Sequence, residues 1–122
     1  WGLSFKPGTD DMREAPSIYV ITSLIEAGAK VQAFDPVANK EAAKKFPKDL
    51  IAEGKLTFYK DNYYALKNAH ALVLMTEWKM FRNLSISMMK KNMKSFCIFD
   101  GRNQYDPEYM RENGFYYKGI GR

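Results

Sequence analysis

Apolar residues along this chain recur at every second position, then at helical spacing, and the two periods alternate from one end to the other. Trp1, Leu3 and Phe5 alternate with Gly2 and Ser4, which predicts the end of a β-strand. Pro7 and Gly8 forbid simple continuation, because proline removes a ladder donor and glycine takes up dihedrals that other residues avoid. Ile18, Ile21, Leu24 and Ile25 then follow helical spacing, from Pro16 at a first helical turn to Gly28 at the stop. Lys30–Pro36 alternates again and ends at proline, predicting a second strand. Residues 38–46 hold strong helix formers with a mostly polar surface, so a short exposed helix is expected there. Leu56–Tyr59 reads as a third strand, and residues 62–67 as a short helix capped by Asp61. Residues 69–76 are nearly continuous in apolar character, the pattern of a central strand covered on both faces. One or two helical segments fill residues 79–93, with Leu84, Met88 and Met89 inward, and Ser95–Phe99 is the next buried strand. A last helix starts at Asp106–Glu108, ahead of Phe115–Tyr117.

Repeated strand–helix alternation with strands apolar on both faces predicts an α/β fold: a parallel sheet flanked by helices. Three strand ends stand out chemically: Phe5-Lys6, Thr76-Glu77-Trp78 and Asp100-Gly101-Arg102. In a parallel sheet all three fall on one edge, where ligands bind. The loop between the first strand and first helix carries Lys6, Asp10, Asp11, Arg13 and Glu14. Lys6 and Arg13 there would add full charge to the N–H groups of a helix start facing an anion. The alternative is a solvated surface loop with local ion pairs, and spacing alone favours it.

At 122 residues, 46% hydrophobic, the chain has the size of one domain and buries a core without disulfide or metal. A net charge of +5 favours anionic partners: nucleotides, sugar phosphates or nucleic acid. The lysines are spread along the chain and the aromatics sit at core-like positions rather than on a stacking face, which argues against nucleic acid. No apolar stretch reaches the roughly 20 residues of a membrane span. The single cysteine, Cys97, lies in an apolar run, reads as a small core residue, and fits a reducing cytoplasm. No metal-ligand spacing appears, and His70 at a strand entrance reads as a surface or packing residue. Trp1 falls inside a strand pattern, so the chain is expected to be a fragment.

Taken together, the run from Gly2 to Ser17, Thr76-Glu77-Trp78 with Phe81, and Asp100-Gly101-Arg102-Asn103 resemble the C-terminal domain of the UDP-glucose/GDP-mannose dehydrogenase family. The resemblance covers essentially the whole chain and implies a three-layer, Rossmann-like, mostly parallel sheet over residues 1–122. It implies a nucleotide-sugar-binding domain, with an NAD-binding domain and a central dimerising region lying upstream. Full-length members oxidise the sugar C6 alcohol to a carboxylate with two NAD and a covalent cysteine intermediate, and are at least dimeric. By this resemblance Phe5, Lys6 and Arg102 contact the UDP-sugar and Arg13 reaches NAD. Gly101 would let the backbone approach the ligand, Asp100 would orient Arg102, and Thr76–Trp78 would give mainly structural support. His70 stands where relatives commonly carry an acid, and Cys97 matches no catalytic motif. No catalytic residue is expected within the chain, which should bind but not catalyse; GDP-mannose, a UDP-N-acetyl-hexosamine, or a purely nucleotide-binding role are the alternatives.

Overall fold

The computed structural model describes residues 1–122. Five short strands and six helices alternate: α1 Pro16–Glu26, β1 Val31–Ala33, α2 Asn39–Ala43, α3 Lys48–Ala52, β2 Leu56–Phe58, α4 Asn62–Ala65, β3 Leu72–Leu74, α5 Ile86–Asn92, β4 Cys97–Asp100, α6 Pro107–Glu112 and β5 Tyr116–Gly119. A 3₁₀ turn at Lys79–Phe81 precedes α5. Strand β1 pairs with β2, and β3 with β4 and β4 with β5, every pair parallel.

The segment Trp1–Leu3 joins the two groups. The Trp1 amine donates to the Val73 carbonyl at 2.8 Å, the Met75 N–H donates to the Trp1 carbonyl at 2.8 Å, and the Gly2 N–H donates to Phe34. The first two bonds are the parallel ladder pattern, with Trp1 opposite Leu74. Counting this segment first, the strands lie in the order 3-2-1-4-5-6, the doubly wound order of Rossmann folds, with its reversal between Trp1–Leu3 and β3.

The strand expected to run to Phe5 stops earlier, and Gly2 is the reason. Its φ of +89° breaks the alternation, so that Trp1 belongs to one core and Leu3 to the other. A Cβ at Gly2 would lie 2.5 Å from the Thr76 nitrogen. Gly2→Ala is therefore expected to destabilise the chain by about 3 kcal/mol, from strained backbone plus overpacking, measured by urea denaturation.

The two cores lie on opposite faces of the sheet, since Ala33 and Phe34, adjacent in sequence, fall in different ones. Helices α1, α2 and α3 cover one face with Ile21, Ala42 and Leu50 over Leu3, Ala33 and Leu56. On the other face Met89 of α5 and Met110 of α6 pack on Leu72, Leu74, Ile98 and Tyr117. The first face is thus covered over β1 and β2 but open over β4 and β5, where Phe99 is 41% and Tyr116 62% exposed. This corrects the expectation that Ser95–Phe99 is buried throughout: an apolar run does not say how many faces are covered. Met88 likewise is exposed while Met89 is buried and Leu84 packs partly on the core. Helix α3, which begins after Pro47, has no counterpart in the sequence reading. Asp61 caps α4 and Asp106 caps α6, the former as expected from its side chain. No helix is long and apolar enough to cross a membrane.

Candidate nucleotide-sugar site

The carboxyl ends of the first segment, β1, β3 and β4 meet at one edge of the sheet, and two buried aspartates and one serine fasten them. Asp35, directly after β1, accepts five N–H donors: Leu3 at 2.8 Å, Ser4 at 3.1 Å and the Trp78 indole at 3.2 Å on Oδ2, Val37 and Ala38 at 2.9 Å on Oδ1. Ser4 Oγ donates to the Lys6 carbonyl at 2.9 Å, and the Ser4 carbonyl accepts from Thr76 Oγ at 2.7 Å. Thr76 is fully buried, which fits its expected supporting role. Phe5 and Lys6 are carried outward by this arrangement. Phe5 is 46% exposed, its N–H bonded to the Asp11 carbonyl, and the Lys6 ammonium makes no ion pair.

Arg102 arrives from β4. Its Nε donates to the Met75 carbonyl at 2.8 Å and lies 3.7 Å from Glu77, so β3 sets its direction. Both Nη groups remain without protein partners, leaving a fork for an anion. Asp100 acts differently from expectation. Its carboxylate accepts the Arg102, Gln104 and Tyr105 N–H groups and the Tyr117 hydroxyl, so it holds the backbone of the loop rather than the guanidinium. Burial and the Asp100 charge push the Tyr105 hydroxyl far above its ordinary range, keeping it a donor, here to the Phe81 carbonyl. Gly101 serves contact with β3, since a Cβ there would lie 2.8 Å from the Leu74 carbonyl.

Arg13 lies on the loop that leads into α1. Its side chain is 85% exposed and paired with Asp11, whose carboxyl is held at about 2 by the Arg13 hydrogen bonds. The start of α1 is turned inward instead of toward an anion: Ala15 and Ser17 are buried, Pro16 has no N–H, and Ser17 Oγ donates to the Leu3 carbonyl at 2.6 Å. A cleft of about 410 Å³ runs beside Asp11, Arg13 and Lys45, and a second of about 260 Å³ beside Asp35, Lys40 and Lys60. Phe5, Lys6 and Arg102 line neither; they stand on the open strand ends.

In a dinucleotide-binding half, a glycine-rich turn follows the first strand and a carboxylate after the second takes the ribose. Here the turn reads Lys6-Pro7-Gly8-Thr9-Asp10-Asp11, and the carboxylate after the second strand, Asp35, is taken up by its own turn and by the neighbouring strand ends. Asp35 went unread in the sequence except as the residue before a strand-stopping proline. No group of three metal-ligating side chains forms in the structure. Cys97 is half-buried, and burial pushes its thiol up, the wrong direction for a nucleophile. His70 is exposed at the entrance to β3.

Residues 1–107 match the model of the UDP-glucose/GDP-mannose dehydrogenase family, UDP binding domain. The chain belongs to this dehydrogenase family. It is 48% identical over its whole length to UDP-glucose 6-dehydrogenase of Pseudomonas aeruginosa, covering 27% of that protein. It is 42% identical over 99% of its length to UDP-glucose 6-dehydrogenase of Rhizobium meliloti, covering 26% of it. Among solved structures it is similar to NDP-N-acetyl-D-galactosaminuronic acid dehydrogenase of Methanosarcina mazei, with a TM-score of 0.79 and 30% identity over 99% of this chain and 23% of that one. The chain thus spans about a quarter of these dehydrogenases, and its Rossmann-like fold is that of the UDP binding domain of the family.

Proposed function

We propose that this chain is the UDP-sugar-binding, C-terminal domain of an NAD-dependent UDP-glucose 6-dehydrogenase, with Lys6 and Arg102 holding the nucleotide sugar. The observation that carries the reading is the placement on one sheet edge of the unpaired Lys6 ammonium and of Arg102, whose Nη groups stay free beside its Glu77 contact, fixed from behind by Ser4, Thr76 and Met75. A diphosphate supplies the matching charge, with oxygens for the Arg102 fork and a point partner for Lys6. Phe5, exposed beside Lys6, offers an apolar face to the sugar or base. Arg13 is assigned to the dinucleotide, because its guanidinium keeps an open edge beside a cleft that neither Lys6 nor Arg102 lines. NAD, when bound to the full-length enzyme, supplies the hydride acceptor for each of two oxidation steps from C6 alcohol to carboxylate. The nucleophilic cysteine of the covalent intermediate is assigned to the rest of the enzyme, since Cys97 has the wrong thiol chemistry for it. A homodimer or larger assembly belongs to the same reading, as do the absence of nucleic acid and membrane from its partners.

The likeness to an N-acetyl-hexosaminuronate enzyme favours a second substrate, a UDP-N-acetyl-hexosamine. Competition between UDP-glucose and that sugar for the full-length enzyme separates the two. In the full-length enzyme, Lys6→Ala and Arg102→Ala are each expected to raise the KM for the nucleotide sugar about tenfold or more, the worth of one charged hydrogen bond. Unchanged KM and kcat in both variants would remove the site assignment.

A further inference from the structure

An arginine on an exposed loop ordinarily samples many rotamers, and ordering it costs entropy when it binds. Arg13 is held in advance. Asp11 Oδ1 accepts from its backbone N–H at 2.9 Å and its Nε at 3.1 Å, while Oδ2 accepts from Nε at 3.2 Å and Nη2 at 2.9 Å. The carboxylate therefore occupies the side edge of the guanidinium. The end edge, made of Nη1 and the outer hydrogen of Nη2, has no protein partner and keeps the spacing of two phosphate oxygens. Asp11 is itself tied at both ends, its N–H donating to Thr9 Oγ at 3.1 Å and its carbonyl accepting from Phe5 at 2.8 Å. A continuous run of hydrogen bonds thus leads from the strand end beside Lys6 to the free edge of Arg13, next to the cleft of about 410 Å³.

We propose that Asp11 is a positioning residue, which aims the end edge of Arg13 at the diphosphate of a dinucleotide. The proposal rests on the reading of Arg13 as the cofactor-facing residue. Asp11 also places a negative charge beside that arginine, which by Coulomb attraction alone weakens the hold on an anion. Positioning and neutralisation therefore change dinucleotide binding in opposite directions when Asp11 loses its charge.

The test measures the KM for NAD in the full-length dehydrogenase, at saturating nucleotide sugar, for Asp11→Asn, Arg13→Ala and the double variant. Asp11→Asn keeps an oxygen for the Arg13 backbone but turns an amide toward the guanidinium. The KM for NAD is expected to rise about fivefold in that variant and further in Arg13→Ala, with the KM for the nucleotide sugar unmoved. Because Asp11 acts only through Arg13, the double variant should be no worse than Arg13→Ala alone. A fall or no change in Asp11→Asn, beside a clear rise in Arg13→Ala, overturns the positioning role and spares Arg13. Additive losses in the double variant overturn it as well. An unchanged KM in Arg13→Ala removes the cofactor reading, and the role of Asp11 with it.

Discussion

Prepared with Trp1 as its first residue and a free amine there, the folded chain is expected to gain about 3 kcal/mol of stability between pH 5 and pH 8 from that one group. That nitrogen lies within the sheet, where it donates to the Val73 carbonyl. Burial lowers it from 8.0 to about 5, and the charge of Asp35 only partly offsets the loss of water. Within this window the unfolded chain binds a proton that the folded chain does not, so stability rises with pH and is complete above the unfolded value of 8.0. As pH falls toward 5 the penalty grows at about 1.4 kcal/mol per pH unit. Urea denaturation at intervals from pH 5 to pH 8 reads the slope directly. A chain with one additional residue before Trp1 keeps a donor to Val73 as an uncharged peptide N–H, and its profile should be flat. His70→Gln in both chains removes the single histidine from the comparison. A flat profile in the free-amine chain would overturn the assignment.

The same nitrogen marks where local pattern stops being informative. Alternation in Lys30–Pro36, the apolar run before Thr76, the cap at Asp61 and the helix start at Asp106 were legible because each depends on neighbours within a few residues. Strand type and the shared edge followed, and with them the meeting of Phe5-Lys6, Thr76–Trp78 and Asp100–Arg102. What was not legible is long-range. Phe99 sits in an apolar run and Met88 in a helical segment where it was expected inward, yet no helix covers the one and α5 turns the other outward. Gly2 reverses the face of Leu3 through one dihedral, which no count of apolar spacing contains. Asp100 holds a backbone loop and a tyrosine hydroxyl, because its carboxylate is buried under β5 before it can reach the Arg102 guanidinium. The pairing of Arg13 with Asp11 was foreseeable only as a generic local ion pair.

Asp35 is the largest of these long-range effects, and its replacement is the sharpest test of how the edge is built. The residues it serves lie 31, 32 and 43 positions away, in the first segment and after β3, besides two in its own turn. In Asp35→Asn one oxygen becomes an amide donor. Whichever way the amide turns, at least two backbone N–H groups face another donor, and each buried donor left unsatisfied costs about 1–3 kcal/mol. A loss of about 3 kcal/mol is expected for Asn and more for Ala, which removes all five acceptor contacts. The first effect to appear should be local. The Leu3 and Ser4 amides should exchange with solvent faster than those of β4, since Asp35 is their acceptor while β4 keeps its ladder to β3 and β5. Because Ser4 holds the Lys6 carbonyl and accepts from Thr76, loosening it frees the Lys6 loop even in molecules that stay folded. With Lys6 in the role proposed for it, the expected result is a weaker hold on the nucleotide sugar in the folded Asn variant, alongside its lower midpoint in urea. An Asn variant with wild-type stability and wild-type exchange at Leu3 and Ser4 would show that the strand ends are held by packing alone.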